Sequence, residues 1–290
     1  MRRSTRRIPL FLALLALPLG AASDAEHIQI SGRDVAIWKP AGPAPTEGYP
    51  VILFSHGFGG CNTQTTFLMD AFAHAGYLVL APNHNDARCG SARRGMRGAN
   101  RPEEPFRKPT EWSDVTYRDR EADIKAVLDA VTAKSFRGVP VDVNRIGIAG
   151  HSLGGYTALG LAGAWPSWKD PRIKAVLALS PFSSPYVQQG DLGQMNVPVM
   201  YQGGTRDFGV TPTVRKSQGA YDRSSAPKYY IEFEGAGHFA WTDLNRRYCD
   251  AIDAYSLAFF DAYLRGRSEA LKTLIGSGRR KEVSYLRAQP

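Results

Sequence analysis

The first candidate for chemistry is a serine flanked by glycines. Residues 150–154 are Gly-His-Ser-Leu-Gly and fit the pattern G-x-S-x-G. This pattern is typical of a sharp strand-to-helix turn that exposes a serine hydroxyl, with glycine where a neighbouring side chain would clash. The segments on either side fit such a turn, because 145–149 is predicted to be a strand and 153–164 a helix of small residues. Ser152 is therefore the candidate nucleophile.

A serine hydroxyl needs a general base, and the sequence favours His238. It lies in the glycine-rich segment 235–239, directly after the predicted strand 228–233. Because parallel strands end at the same edge of a sheet, His238 and Ser152 should meet there. His151 is next to the serine but should point away from its hydroxyl. The remaining histidines are His27, His56, His74 and His84.

The imidazole of a general base needs a carboxylate that fixes its tautomer. Asp207 follows the predicted strand 197–201, and the chain order Ser152, Asp207, His238 is that of α/β-hydrolases. The rival carboxylates, Asp191 and Asp222, lie in a predicted surface loop and a predicted helix. Asp207 is the predicted acid.

An acyl-transfer reaction also needs backbone N–H donors for the developing oxyanion. The N–H of Leu153, directly after the serine, is one candidate. The second should come from the loop after the predicted strand 51–54, where 56–60 is His-Gly-Phe-Gly-Gly. Phe58 is the predicted donor, and the glycines beside it allow close approach of the backbone to a substrate.

Outside these motifs, apolar runs alternate with amphipathic segments. The runs suit strands buried on both faces of a sheet, and the other segments have helical spacing of their apolar residues. This alternation predicts one α/β domain, a mostly parallel sheet flanked by helices on both faces. The predicted strands are 35–38, 51–54, 77–81, 145–149, 173–179, 197–201 and 228–233; the predicted helices are 67–75, 119–133, 153–164 and 250–264, with another starting at Thr211-Pro212.

The N-terminal segment has the layout of a signal peptide. Four arginines precede the apolar run 8–19, and small residues follow at 20–23. The run is short of the ~20 residues that a membrane-spanning helix needs. We therefore predict a signal peptide at 1–23, a catalytic domain at 24–290, no stable membrane span and a secreted or periplasmic protein.

Composition and charge exclude several partners. The chain is 43% hydrophobic and 22% charged, an ordinary globular balance. The formal charge of +9 includes the four N-terminal arginines, and the basic residues of 88–108 lie among Gly and Pro, which indicates a solvated loop. We predict no nucleic-acid partner and a monomer. The three cysteines form no C-x-x-C pair, so no metal site is expected.

The motifs at 55–60 and 150–155, together with Asp207 and 237–239, resemble those of the α/β-hydrolase superfamily. Within it the chain is similar to a group of esterases that includes dienelactone-hydrolase-like, cutinase-like, polyester-hydrolase-like and platelet-activating-factor acetylhydrolase-like proteins. The resemblance implies about eight strands and no cofactor. It also implies an aromatic-lined cleft, in which Phe58 and Phe182 match aromatic positions of polyester hydrolases, with Phe182 where those enzymes usually carry Trp.

Two further expectations concern side chains at the same edge of the sheet. We count His151 among the substrate contacts. Because export permits disulfides, Cys61 is expected to pair with Cys89.

The sequence thus predicts a serine carboxylic-ester hydrolase that acts through an acyl-enzyme on small-molecule, lipid or polymeric esters. Two alternatives stay open. The same triad serves amidases and peptidases, and a hydrolase scaffold can also be a catalytically dead binding module.

Overall fold

A nine-stranded sheet organises the part of the chain that the computed structural model describes, residues 25–88, 102–133 and 136–290. The strand order is β1-β2-β4-β3-β5-β6-β7-β8-β9. The strands are β1 (Glu26–Ile30), β2 (Arg33–Trp38), β3 (Tyr49–Ser55), β4 (Leu78–Pro82), β5 (Val141–His151), β6 (Ile173–Leu179), β7 (Val199–Gly204), β8 (Lys228–Phe233) and β9 (Val283–Gln289).

The six central strands are parallel, whereas the pairs β1–β2, β2–β4 and β8–β9 are antiparallel. Strands β3, β4, β7 and β8 are buried along their whole length, as strands in a parallel sheet covered on both faces should be. All six parallel strands therefore end at one edge, which is where the sequence placed the candidate catalytic residues.

Helices cover both faces of this sheet. They are α1 (Thr66–His74), α2 (Arg118–Thr132), α3 (Leu153–Leu159), α4 (Ser184–Gln188), α5 (Thr211–Arg215), α6 (Ala220–Arg223), α7 (Cys249–Arg265) and α8 (Ala270–Leu274). Side chains of α2 and α3 share one apolar core, and those of α1 and α7 share the other. Burial of the apolar faces of these helices against the two faces of the sheet stabilises the three-layer arrangement.

The structure confirms the predicted fold class and extends the sheet. The sequence pattern predicted seven strands and the resemblance implied about eight; the described residues form nine, because the edge strands β1 and β9 were not recognised in the sequence. The predicted helix 153–164 is also too long: α3 ends at Leu159 and a wider turn follows at Gly160–Ala164, where Gly163 has a φ of 121°.

The predicted signal peptide, 1–23, lies outside the described residues, so it stays a prediction. Among the helices that the structure describes, none has the length and apolar content needed to cross a membrane.

Candidate active site

Ser152 occupies a strained turn between β5 and α3. Its φ is 55° and its ψ is −115°, an unusual conformation for a residue other than glycine. A Cβ at Gly150 would lie 2.1 Å from the carbonyl oxygen of Gly154, and a Cβ at Gly154 would lie 1.9 Å from that of Ser55. Both glycines are therefore required by close packing of the backbone around the serine.

The structure brings the three predicted triad residues together. His238 starts a short 3-10 turn after β8, and its Nε2 lies 2.9 Å from Ser152 Oγ. On the other side of the ring, Nδ1 lies 3.2 Å from Oδ1 and 3.3 Å from Oδ2 of Asp207. Asp207 follows β7 and is 3% exposed, so its carboxylate is shielded from water. The rivals lie elsewhere: Asp191 caps a 3-10 turn and Asp222 pairs with Arg287.

A fourth side chain, which the sequence analysis missed, lies between the acid and the base. Ser180 directly follows β6 and is fully buried. Its Oγ lies 2.9 Å from His238 Nδ1 and donates a short hydrogen bond to Asp207 Oδ2. The Nδ1 atom is thus closer to the Ser180 hydroxyl than to either carboxylate oxygen.

His151 contacts the backbone of the candidate base. Its Nε2 lies 2.8 Å from the carbonyl oxygen of His238, and Gln64 Nε2 lies 3.0 Å from its Nδ1. A carbonyl only accepts, so Nε2 of His151 carries the proton and Nδ1 accepts from Gln64. Burial, aided by the charge of His238, lowers the pKa of His151 to about 3. His151 therefore remains neutral in the working range of pH.

Gln64 extends this chain of hydrogen bonds to the loop after β3. Its Oε1 accepts from the N–H of Gly57 at 3.1 Å. The N–H groups of Phe58 and Leu153, the predicted oxyanion donors, have no acceptor among the hydrogen bonds of the described residues. Both are therefore available to donate to a ligand beside Ser152.

The buried ion pair between Arg120 and Asp86 holds the loop after β3 in place. Arg120, in α2, is fully buried and donates to both carboxylate oxygens of Asp86 at 2.7 to 3.1 Å. It also donates to the carbonyl oxygens of His56 and Gly57 at 2.7 and 3.3 Å. Asp86 in turn accepts from the N–H of Gly59 at 3.0 Å. The loop conformation is thus fixed by charge-assisted hydrogen bonds.

Beneath this loop lies a second alignment of Ser, His and Asp. Ser55 Oγ lies 2.9 Å from His84 Nε2, and His84 Nδ1 lies 2.9 Å from Asp123 Oδ2. Ser55 is fully buried and His84 is 3% exposed. Burial and the nearby charge of Arg120 hold the pKa of His84 well below its usual range. This alignment is closed to substrate and connects β3, β4 and α2.

A cleft of about 760 Å³ opens at Ser152 and His238. Its apolar wall includes Phe58, Phe106 and Phe182. The Phe106 ring lies 5.5 Å from the Phe58 ring and 4.9 Å from the Phe182 ring, both edge to face. The predicted substrate contacts Phe58, Phe182 and His151 all line this cleft. Phe106 also lines the cleft and was not among the predicted substrate contacts.

Exposed apolar side chains surround the mouth of the cleft. Phe239 is 60% exposed and Leu244 is 83% exposed, and both line it. Arg107 is exposed at the same opening. The mouth is therefore open and largely apolar, which suits bulky apolar ligands.

The structure describes two of the three cysteines, Cys61 and Cys249. Cys61 is disulfide-bonded and Cys249 is free. Cys89 lies outside the described residues, so the Cys61–Cys89 pairing stays a prediction. Within the described ranges, no group of three His, Cys, Asp or Glu side chains could hold a metal ion.

Comparisons with known proteins agree with this geometry. A family model described as PET hydrolase-like matches residues 40–273. Cutinase est1 of Thermobifida alba is 24% identical over 224 residues, 77% of this chain and 63% of that protein. A cutinase of Thermobifida fusca is 22% identical over 224 residues, 77% of this chain and 58% of that protein.

A third relative is the bis(hydroxyethyl) terephthalate hydrolase of Streptomyces coelicolor, 25% identical over 241 residues, 77% of this chain and 72% of that protein. The chain thus spans less than two thirds of the length of the two cutinases. These findings confirm the resemblance to cutinase-like and polyester-hydrolase-like proteins that the sequence motifs indicated.

Proposed function

The chain belongs to the PET hydrolase-like family, and on that premise we propose that it is a secreted serine ester hydrolase. The observation that carries the proposal is the line of contacts from Ser152 Oγ to His238 Nε2 at 2.9 Å, with Asp207 on the far side of the ring. This geometry fits nucleophile, general base and orienting acid.

In the acylation step, the Ser152 hydroxyl attacks the ester carbonyl carbon and its proton moves to His238 Nε2. Asp207 stabilises the imidazolium that forms. The carbonyl oxygen becomes an oxyanion, which the free N–H groups of Phe58 and Leu153 stabilise. When the tetrahedral intermediate collapses, the alkoxy oxygen takes the proton from His238 and leaves as the alcohol.

Deacylation repeats these steps with water as nucleophile. His238 takes a proton from the water, the hydroxide attacks the acyl carbon, and Ser152 leaves with that proton restored. The products are the carboxylic acid and the regenerated enzyme. Each step uses only the side chains of Ser152, His238 and Asp207 and the two backbone N–H groups.

The cleft supports an apolar and bulky ester as substrate. Three aromatic rings, Phe58, Phe106 and Phe182, form a continuous wall beside Ser152. The relatives include cutinases and a bis(hydroxyethyl) terephthalate hydrolase, and the second name specifies an aromatic ester. We infer that esters with an aromatic or long acyl group are hydrolysed in preference to acetate esters.

Export of the protein is supported by the N-terminal pattern alone. The basic residues, short apolar run and small residues of 1–23 fit a secretory signal. N-terminal sequencing of protein recovered from the medium or periplasm tests this point, and a chain that still begins with Met1 would contradict it.

The experiment is hydrolysis of p-nitrophenyl esters from acetate to long acyl chains, followed by product release from polyester film. We compare the wild type with Ser152→Ala and with the exposed Ser167→Ala as matched control. Ser152→Ala should lose at least about 10³-fold in kcat because it lacks the nucleophile, whereas Ser167→Ala should match the wild type.

Two results would contradict the proposal. Full activity of Ser152→Ala would exclude Ser152 as the nucleophile. A folded wild type that cleaves amides but no ester would move the assignment to an amidase. Cleavage of soluble esters with no release from film would limit the substrate to small esters.

A further inference from the structure

Ser180 occupies a position that a simple triad does not require. Its hydroxyl oxygen lies 2.9 Å from His238 Nδ1, whereas the carboxylate oxygens of Asp207 lie 3.2 and 3.3 Å from the same nitrogen. The same hydroxyl donates to Asp207 Oδ2. Ser180 thus contacts the base and the acid at once.

The directions of these hydrogen bonds follow from proton counting. Before reaction, the Ser152 hydroxyl donates to Nε2 of His238, so the ring proton is on Nδ1. The Ser180 hydroxyl gives its only proton to the Asp207 carboxylate, which cannot donate. Its oxygen is therefore the nearest acceptor for Nδ1–H.

The backbone at Ser180 supports a functional reason for this placement. Its φ is 43°, in the left-handed region that side-chain-bearing residues other than Asn and Asp rarely adopt. Its N–H donates to the carbonyl oxygen of Gln202 in β7 at 2.7 Å. Strained residues of this kind cluster at active sites, where the surrounding structure holds them in place.

We propose that Ser180 is a positioning residue for the hydrolytic reaction, whose hydroxyl connects His238 Nδ1 to Asp207. This inference rests on the proposed function. The hydroxyl holds the ring in the tautomer that leaves Nε2 free to take the Ser152 proton. It also accepts from the imidazolium that forms as Ser152 attacks, so its contribution increases in the transition state.

Other charged groups near His238 must be considered before a pH profile is interpreted. Asp207 faces Nδ1, and the neutral His151 ring lies 4.9 Å from the His238 ring. Arg107 and Asp243 line the same cleft. Asp243 is engaged with the backbone N–H groups of Thr66 and Phe67. A substitution at Ser180 leaves the contacts of Asp243 in place, but it also removes the hydrogen bond that Asp207 receives from the Ser180 hydroxyl.

The test compares Ser180→Ala and Ser180→Gly with the wild type. Both variants lack the hydroxyl, but only glycine adopts a positive φ without strain. A hydrogen bond to a charged group is worth about 1.5–3 kcal/mol, which is about ten- to 150-fold in rate. We expect kcat to fall about ten- to 150-fold in both variants, with KM within about twofold.

The pH profile separates positioning from a purely structural role. Without the Ser180 oxygen, the protonated ring loses its nearest acceptor, so the acid limb of kcat/KM should move to lower pH in both variants. Thermal unfolding checks that each variant is folded. A structural role alone would change the melting temperature and leave this limb in place.

Two sets of results would overturn the inference while leaving the proposed function intact. One is an active wild type with both variants within about threefold of its kcat and with the same acid limb. The other is a loss confined to Ser180→Ala, since glycine would then show that the backbone matters and the hydroxyl does not. A wild type that hydrolyses no ester would overturn the proposed function together with this inference.

Discussion

The Arg120–Asp86 pair allows a stability prediction to be worked from the structure. Burial alone would raise the pKa of the Asp86 carboxyl, but the adjacent Arg120 guanidinium lowers it to about 2 from 3.8. That difference corresponds to about 2.4 kcal/mol of folding free energy. Because Asn resembles the neutral acid, Asp86→Asn should lower the free energy of unfolding at pH 7 by about 2.4 kcal/mol.

The same pair predicts how stability changes with pH. The folded-state pKa of Asp86 lies below its unfolded value, so the stabilisation is complete well above pH 3.8 and is lost as pH falls toward 2. About 1 kcal/mol should be lost between pH 6 and pH 3. The Asp86→Asn variant lacks this titration, so the difference between wild type and variant should shrink over that interval.

Urea unfolding followed by circular dichroism at pH 6, 4 and 3 measures these values. Asp129→Asn is the matched control, because Asp129 also pairs with an arginine, Arg172, but its side chain is 71% exposed. An exposed pair of this kind contributes at most about 1 kcal/mol. Equal losses in the two variants at pH 6, or a constant difference between wild type and Asp86→Asn from pH 6 to 3, would refute the reasoning.

Two further predictions concern the cleft. Burial lowers the pKa of His151 to about 3 in the folded chain, from an ordinary value of 6.5. Because the unfolded chain then binds a proton that the folded chain does not, this group should lower the free energy of unfolding by about 2 kcal/mol between pH 7 and 5. The His151→Gln variant should lack this part of the pH dependence. Parallel pH–stability curves would contradict this. Phe182 is 6% exposed and lies 4.8 Å from the Trp112 ring, so Phe182→Ala should destabilise by about 3–5 kcal/mol in urea unfolding. Phe239→Ala, at a 60% exposed position, should cost less than about 1 kcal/mol, and equal costs would count against the assigned packing.

The central sheet and its catalytic edge could be predicted because their signals are local. Strands buried on both faces are often continuous apolar runs, and the runs within β3 and β4 are of this kind, whereas β8 was recognised from its alternating pattern. The segments that follow such runs must lie at one edge when the strands are parallel. The sequence alone could therefore predict that Ser152, Asp207 and His238 lie near one another.

The edge strands were missed because half of their side chains face water. Strand β1, Glu-His-Ile-Gln-Ile, alternates between half-buried and exposed residues, and β9 contains Arg287 and Gln289. Such short polar runs are hard to distinguish from loops. Their pairing depends on neighbours that only the folded sheet supplies.

The supporting residues of the site were missed for a different reason. Ser180 contacts a side chain 58 residues away, and Gln64 contacts one 87 residues away. No spacing rule relates such positions. Asp86 lies in a segment whose polar residues equally fit a turn, and its pairing with Arg120 depends on how α2 packs beneath the loop.

The enclosed alignment of Ser55, His84 and Asp123 shows that a serine, an imidazole and a carboxylate can be aligned at a place that no substrate reaches. It has the same order of serine, imidazole and carboxylate as the alignment at Ser152, and the serine-to-imidazole distance is 2.9 Å in each. Ser152 borders a cleft, whereas Ser55 has no exposed surface. A serine-directed phosphonate should consequently label Ser152 and leave Ser55 unmodified in the folded chain. Burial and the adjacent Arg120 charge, and not the arrangement of the three side chains, distinguish the enclosed serine from Ser152.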